Sequence, residues 1–197
     1  MPFLGLTGGF CTGKTTVLNM FSSLGAKTLN ADAITYRLYK KGTRIYKQLV
    51  KEFGNQILNS NKEIDRRKLS KIVFSSQRKL KKLEEIVHPQ IIKIIKDFLK
   101  RDNKKEIKIV EVPLLFEKKL EGLFDYIICV SSYKKNSIER AKKRLEVPIQ
   151  EIKKRIDLQI PLREKEKKAD FVIKNNKDLE SLKKEVEKLW RRIQNLN

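Results

Sequence analysis

The clearest chemical signal lies near the amino end, where glycines, a lysine and threonines follow a spacing that binds phosphate groups. The pattern G-x-x-x-x-G-K-T is met by Gly8, Gly9, Phe10, Cys11, Thr12, Gly13, Lys14 and Thr15, and Thr16 follows it. Glycines let such a loop turn several backbone N–H groups toward one point, where a Cβ would obstruct them. Lys14 can then reach the β- and γ-phosphates, while the Thr15 hydroxyl is placed to ligate Mg²⁺. The residues therefore predict a site for the phosphates of a nucleotide.

The neighbouring residues favour the strand, loop and helix order that this chemistry needs. Pro2–Leu6 can form a short buried strand, and the apolar residues of 14–24 share one helical face. The positive end of that helix is then aimed at the anion. The alternative is a glycine-rich turn that matches the pattern by chance, and the order of the flanking elements argues against it.

Further along the chain, short apolar segments alternate with helical patterns and predict an α/β fold. Strands are expected at 2–6, 25–29, 107–112, 126–130 and 171–173, with a closing helix over 179–193. We predict a P-loop NTPase three-layer sandwich with a five-stranded parallel sheet and right-handed connections. A core of about 1–41, 103–135 and 169–197 would carry a helical substrate-binding insertion at about 42–102 and a helical lid at about 136–168, all within a single domain over residues 1–197.

The predicted insertion is almost entirely helical. A helix over 44–53 is stopped by Gly54, and Asp65 is expected to cap the next helix. Another helix should end at Val87, and His88-Pro89 should begin a further one, because proline suits a first helical turn. In the predicted lid, residues 163–168 are nearly all charged, which predicts an exposed and mobile edge.

The composition favours a soluble protein with a very basic surface. The 197 residues are 40% hydrophobic and 36% charged, with a net charge of +22. We expect no membrane span, no signal peptide and a cytoplasmic location, the latter because Cys11 and Cys129 lack the spacing of a metal site. The charge could attract nucleic acid, but the lysines are spread over most helices without aromatic alternation. A solvated surface without nucleic-acid binding is therefore expected.

Other sequence features separate the classes of protein that use a phosphate loop. No N-K-x-D guanine motif follows the later strands, and the strand Ile107–Glu111 only half resembles the acidic strand of an ATP-driven motor. A small chain with a helical insertion and a basic lid instead indicates a phosphoryl-transfer enzyme that closes over two substrates.

Short stretches along the whole chain resemble the dephospho-CoA kinase family in order and spacing. They are Leu6–Gly9, Gly13–Thr16, Ala31-Asp32, Asp65–Arg67, Leu69, Phe74, His88-Pro89, Val112–Glu117, Arg140, Arg144, Gln159, Lys165, Ala169-Asp170, Val172-Ile173 and Asn175. Two positions depart from the pattern, because Asn30 and Glu111 stand where the family commonly has aspartate. The second change leaves any role of Glu111 at a metal open.

The resemblance implies transfer of the γ-phosphoryl group of ATP, with Mg²⁺, to the ribose 3′-hydroxyl of dephospho-CoA. Asp32 would orient this hydroxyl and accept its proton, although it could instead cap the following helix. Arg140 and Arg144 lie one helical turn apart and would bring two guanidinium groups to the phosphates from the lid. The alternative is that both arginines are merely solvated.

The resemblance also implies residues for the acceptor and for adenine. His88 and Leu114 would lie near dephospho-CoA, with a structural cap as the alternative for His88, and Asn175 would lie near adenine. The partners would be the two small substrates, and the protein a monomer or small homo-oligomer. Two rivals remain at this point: a nucleoside monophosphate kinase of the same architecture, and an ATP-dependent nucleic-acid-binding protein.

Overall fold

The computed structural model describes residues 1–100, 106–145 and 148–196, without the side chains of Arg144 and Leu145. The strands are β1 (Phe3–Gly8), β2 (Lys27–Asn30), β3 (Lys108–Glu111), β4 (Tyr126–Ser131) and β5 (Phe171–Lys174). The helices are α1 (Lys14–Ser23), α2 (Ala31–Leu38), α3 (Arg44–Phe53), α4 (Arg66–Phe74), α5 (Gln77–Lys100), α6 (Lys134–Leu145), α7 (Ile149–Asp157), α8 (Leu162–Lys168) and α9 (Leu179–Gln194).

The five strands form one parallel sheet in the order β2-β3-β1-β4-β5, as the alternation of the sequence predicted. The central strands β1, β3 and β4 are almost wholly buried. Strands of a parallel sheet that is covered on both faces are buried along their length, because neither side chain of an alternating pair meets water. The phosphate-loop segment follows β1, the middle strand.

Helices α1 and α9 share one apolar core with the sheet. Phe21 of α1 and Trp190 of α9 lie 6.1 Å apart between ring centroids, in a tilted arrangement. Their neighbours in this core include Leu4, Leu6, Val17, Ile109, Ile128, Val186 and Ile193. This core fixes the start of α1, and therefore the loop before it, against the sheet.

Residues Ala31–Lys100 form a compact unit of their own, and Met1–Asn30 with Arg101–Asn197 form the other. The helical unit contains α2 to α5 around buried Ile45, Leu49, Leu69 and Val87. Asp65 caps α4 as predicted, since its carboxylate accepts hydrogen bonds from the backbone N–H groups of Arg67 at 2.8 Å and Lys68 at 3.1 Å.

The prediction that one helix ends at Val87 and another begins at His88-Pro89 is wrong. Helix α5 runs through both residues for 24 residues, with Pro89 inside it. An internal proline costs a helix about 3 kcal/mol or more, because it removes one hydrogen bond and crowds the preceding turn. The apolar stripe continues beyond the proline through buried Ile95 and Leu99, and this packing keeps the helix unbroken.

The charged run 163–168 is not uniformly exposed, contrary to the sequence-based expectation. Lys165 is fully buried, whereas Arg163, Glu164, Lys167 and Lys168 are exposed. In the short helix α8, Lys165 follows Leu162 by three residues and so lies on its inward face. A charge pattern alone could not reveal this orientation.

No helix in the described ranges is long and apolar enough to cross a membrane.

Candidate active site

The polar residues of the site gather where the strands end. Because all five strands are parallel, their carboxyl ends meet at one edge of the sheet, the usual place for ligands in open α/β sheets. Strand β1 ends at Gly8, β2 at Asn30, β3 at Glu111 and β4 at Ser131. The phosphate-loop segment Gly8–Thr16 therefore starts at the centre of a polar edge.

Two glycines of the loop occupy places that no other residue could fill. A Cβ at Gly8, where φ is +151°, would lie 2.2 Å from the carbonyl oxygen of Val130. A Cβ at Gly13, where φ is +95°, would lie 2.3 Å from Nδ2 of Asn175. Both positions combine a backbone conformation that side chains disfavour with a close approach, so the two glycines set the shape of the loop.

Lys14 folds back over this loop. Its Nζ donates a hydrogen bond to the Gly9 carbonyl at 2.7 Å, and the Thr12 hydroxyl donates to the same carbonyl at 3.0 Å. Lys14 is 9% exposed and opens helix α1, whose N-cap Gly13 offers no side-chain acceptor to the first N–H groups. A cation and the start of a helix thus lie together at the loop, which suits a phosphate.

Glu111 joins the loop to the neighbouring strand. Its Oε1 accepts a hydrogen bond from the Thr15 hydroxyl at 3.1 Å, and its Oε2 accepts one from Nδ2 of Asn30 at 2.6 Å. Asn30 and Glu111 are also direct partners in the pairing of β2 with β3. The two positions that depart from the family pattern therefore contact each other, and the longer glutamate still reaches the phosphate loop.

The donor set around Thr15 fits Mg²⁺. This ion prefers oxygen ligands and is commonly held by one or two carboxylates together with substrate phosphates. Thr15 offers a hydroxyl oxygen beside the Glu111 carboxylate, which is 3% exposed. In the part of the chain that the structure describes, no group of three or more His, Cys, Asp and Glu residues could hold a metal by itself.

Arg140 and Asn175 form a hydrogen-bonded pair next to the loop. The Arg140 guanidinium donates to the Asn175 carbonyl at 3.1 Å, to Oδ1 of Asn175 at 3.2 Å and to the Ser132 hydroxyl at 3.0 Å. Nδ2 of Asn175 donates in turn to the Thr12 carbonyl at 2.9 Å. Arg140 is thus not a merely solvated arginine, and Asn175 contacts the loop directly.

The remaining predicted site residues lie as follows. Asp32 is the second residue of α2 and is exposed, so it is not the N-cap of that helix. His88 lies half-buried in the middle of α5, which excludes a role as a cap. Leu114 follows β3 and is 37% exposed. The side chain of Arg144 lies outside the described residues, although its backbone belongs to α6.

Cys129 lies in β4 near the site but has no thiolate chemistry at neutral pH. Burial, and secondly the negative charge of Glu166, raise the pKa of its thiol to about 12. The thiol is the inert form, so Cys129 fills space in the core.

A glycine-rich phosphate loop between the central strand of a parallel sheet and a following helix defines a P-loop kinase fold. The family model for Dephospho-CoA kinase matches residues 2–181. A dephospho-CoA kinase of Aquifex aeolicus is 39% identical over 193 residues, which is 98% of each chain. The chain therefore belongs to the dephospho-CoA kinase family, which catalyses the final step of CoA biosynthesis.

Solved structures agree with this assignment. A dephospho-CoA kinase from Campylobacter jejuni has a TM-score of 0.72 and 31% identity, over 98% of this chain and 96% of that chain. A shikimate kinase from Acinetobacter baumannii, at 13% identity and a TM-score of 0.57 over 98% and 93% of the two chains, shares the fold alone. The resemblance found in the sequence is confirmed, and the two rival functions give way to it.

Proposed function

We propose that this protein transfers the γ-phosphoryl group of ATP to the 3′-hydroxyl of the ribose of dephospho-CoA and releases CoA and ADP. The observation that carries the proposal is the family match over residues 2–181 in a chain whose phosphate loop follows the central strand. Lys14 and the start of α1 bind the β- and γ-phosphates. The role of Lys14 is supported by the position of its Nζ, which lies 2.7 Å from the Gly9 carbonyl of the loop.

In the reaction, the ribose oxygen forms a bond to the γ-phosphorus, and the bond from that phosphorus to the bridging oxygen of ADP breaks. Asp32 accepts the proton of the hydroxyl. The support for this role is that Asp32 is an exposed carboxylate in the first turn of α2, two residues past Asn30, where β2 ends.

Arg140 and Arg144 neutralise charge on the transferring phosphoryl group. Arg140 has the stronger support, because its guanidinium donates to the side chain of Asn175, which in turn donates to the Thr12 carbonyl of the loop. Planar guanidinium groups match phosphate oxygens with two parallel hydrogen bonds, which a lysine cannot do.

Mg²⁺ is the second cofactor that we propose, with Thr15 as its ligand and Glu111 beside it. Bound there, Mg²⁺ would supply positive charge that offsets the negative charge of the phosphates. Glu111 holds the Thr15 hydroxyl in place, as the 3.1 Å hydrogen bond supports. His88 and Leu114 contact dephospho-CoA, and Asn175 lies near adenine while it holds the Thr12 carbonyl.

We further propose a cytoplasmic location and a monomer or small homo-oligomer that acts on the two small substrates without nucleic acid. The support for the location is that both cysteines, Cys11 and Cys129, are free thiols. Such thiols persist in a reducing compartment.

The direct test of the function is ADP release from ATP with different acceptors. Dephospho-CoA should stimulate release strongly, whereas AMP, CMP and DNA should not. Phosphorus NMR of the product should show a new 3′-phosphomonoester. Stimulation by DNA together with no response to dephospho-CoA would contradict the proposal.

Replacing Arg140 by alanine is expected to lower kcat/KM for ATP by about 10²-fold, because a fixed cation next to the transferring group is lost. Steady-state kinetics check the value. Arg163→Ala is the matched control, since Arg163 is an exposed arginine on α8. If Arg140→Ala and Arg163→Ala have the same activity, the role of Arg140 is wrong.

Replacing Glu111 by glutamine is expected to raise the Mg²⁺ concentration needed for half-maximal activity by about tenfold or more, as for other residues that hold a metal ligand. Mg²⁺ titration at saturating ATP measures the shift. The matched control is Glu106→Gln, because the Glu106 carboxylate pairs with exposed Lys27 and not with Thr15. This variant should leave the Mg²⁺ titration unchanged. An unshifted Mg²⁺ titration for Glu111→Gln would remove Glu111 from the metal site.

A further inference from the structure

Lys165 is a fully buried lysine in helix α8, most of whose other charged residues are exposed. Its side chain is 0% exposed, although its neighbours Glu164 and Lys167 on α8 lie in solvent. An ammonium group loses its hydration when it is buried, and this is costly unless other groups replace the water. Other groups must therefore replace the water around the Lys165 ammonium.

Those partners come from different segments of the same unit. Nζ of Lys165 lies 2.8 Å from Oε1 of Glu117, 3.1 Å from the Pro113 carbonyl and 3.4 Å from the Gly8 carbonyl. Oε1 of Gln159 is 3.5 Å away. One ammonium thus joins the segment after β3, the segment after α7 and the first residue of the phosphate loop.

The contact with Gly8 bears on the function of the loop. The Gly8 carbonyl and the Gly9 N–H belong to one rigid peptide plane, so whatever holds the oxygen also sets the direction of the N–H. The Pro113 carbonyl is held in addition by the Thr7 hydroxyl at 3.3 Å. Lys165 and Thr7 therefore both link the end of β1, where the loop begins, to the Pro113 carbonyl.

The pair of Lys165 with Glu117 is poorly explained by stability alone. Glu117 also accepts a hydrogen bond from the Ile160 backbone N–H at 3.0 Å, but its Oε2 is buried and has no hydrogen-bond partner among the described residues. Apolar residues of similar volume often stabilise a protein as well as a buried ion pair does. An incompletely satisfied pair is better explained by what it positions.

We propose that Lys165 is a positioning residue for nucleotide binding, which fixes the entry of the phosphate loop through the Gly8 and Pro113 carbonyls. Glu117 neutralises its charge in the interior. The proposal rests on the proposed function, since it assumes that the loop binds ATP. Through Lys165, helix α8 would help to hold the phosphate loop in the shape that binds ATP.

The experiment compares Lys165→Met, Glu117→Gln and the double variant Lys165→Met/Glu117→Gln with the parent. Lys167→Met is the matched control, because it removes the same charge from the exposed side of the same helix. Thermal unfolding measures stability, calorimetric titration measures the Kd of ATP, and kinetics separate KM from kcat.

We expect Lys165→Met to lose stability, because it leaves the Glu117 charge buried and unpaired. It should also weaken ATP binding by about tenfold or more through misplacement of the loop. The double variant should recover stability but not ATP affinity. If Lys165→Met alone fails to fold, the ATP affinity of the double variant tests the proposal in its place. Lys167→Met should match the parent, and Glu117→Gln should keep its ATP affinity.

Two results would overturn the proposal: parental ATP affinity in Lys165→Met, or recovery of ATP affinity together with stability in the double variant. Either would make the pair purely structural. Failure of the parent itself to bind ATP would instead contradict the proposed function, so the two failures are distinguishable.

Discussion

Replacing Lys14 by alanine is expected to reduce phosphoryl transfer by about 10³-fold or more while the protein stays folded. The transition state spreads negative charge over the transferring group, and Lys14 supplies a fixed cation where little water competes. Its Nζ already contacts the phosphate loop, 2.7 Å from the Gly9 carbonyl. The loss should appear in kcat as well as in ATP affinity.

Two comparisons make this measurement decisive. Lys27→Ala removes an exposed lysine at the amino end of β2, on the opposite edge of the sheet from the loop, and should leave turnover unchanged. Circular dichroism and thermal unfolding check that Lys14→Ala is folded. Normal turnover in a folded Lys14→Ala protein would refute the role of the phosphate loop.

The features that the sequence predicted well are those written in local patterns. The strands, the closing helix α9 and the Asp65 cap follow from runs of apolar residues and from the chemistry of single capping residues. The phosphate loop is equally local, since its glycines and Lys14 lie within a few residues of one another. Such patterns need no knowledge of the rest of the chain.

The features that the sequence did not predict depend on contacts between distant residues. Asn175 lies 163 positions from Thr12, and Lys165 lies 157 positions from Gly8. Nothing in a run of lysines and glutamates marks the one lysine that turns inward. Pro89 is the opposite case, because a correct local preference was overridden by apolar packing along α5.

Asn30 and Glu111 are intermediate between these cases. The sequence revealed both as departures from the family pattern, but only the structure shows that one contacts the other. From the sequence alone, the change at position 111 left any role of Glu111 at a metal open. In the structure, the Asn30 amide donates to one carboxylate oxygen of Glu111, and the other oxygen of the longer side chain still reaches the Thr15 hydroxyl.

Replacing Asp32 by asparagine is expected to lower kcat by about 10²-fold or more, the usual contribution of a general base. Asparagine has the same size and can still accept a hydrogen bond from the ribose hydroxyl, but it cannot take its proton at neutral pH. KM for dephospho-CoA should therefore change little, and stability should not fall because Asp32 is exposed.

The matched control for this variant is Asp97→Asn, an exposed aspartate on α5 in the same helical unit. It should keep the kcat of the parent, which separates loss of the base from loss of one negative charge on a very basic protein. Because a missing base cannot be replaced by deprotonation of the amide, raising the pH should not restore Asp32→Asn. A turnover within about threefold of the parent, far from the loss that a general base contributes, would assign proton transfer to another group.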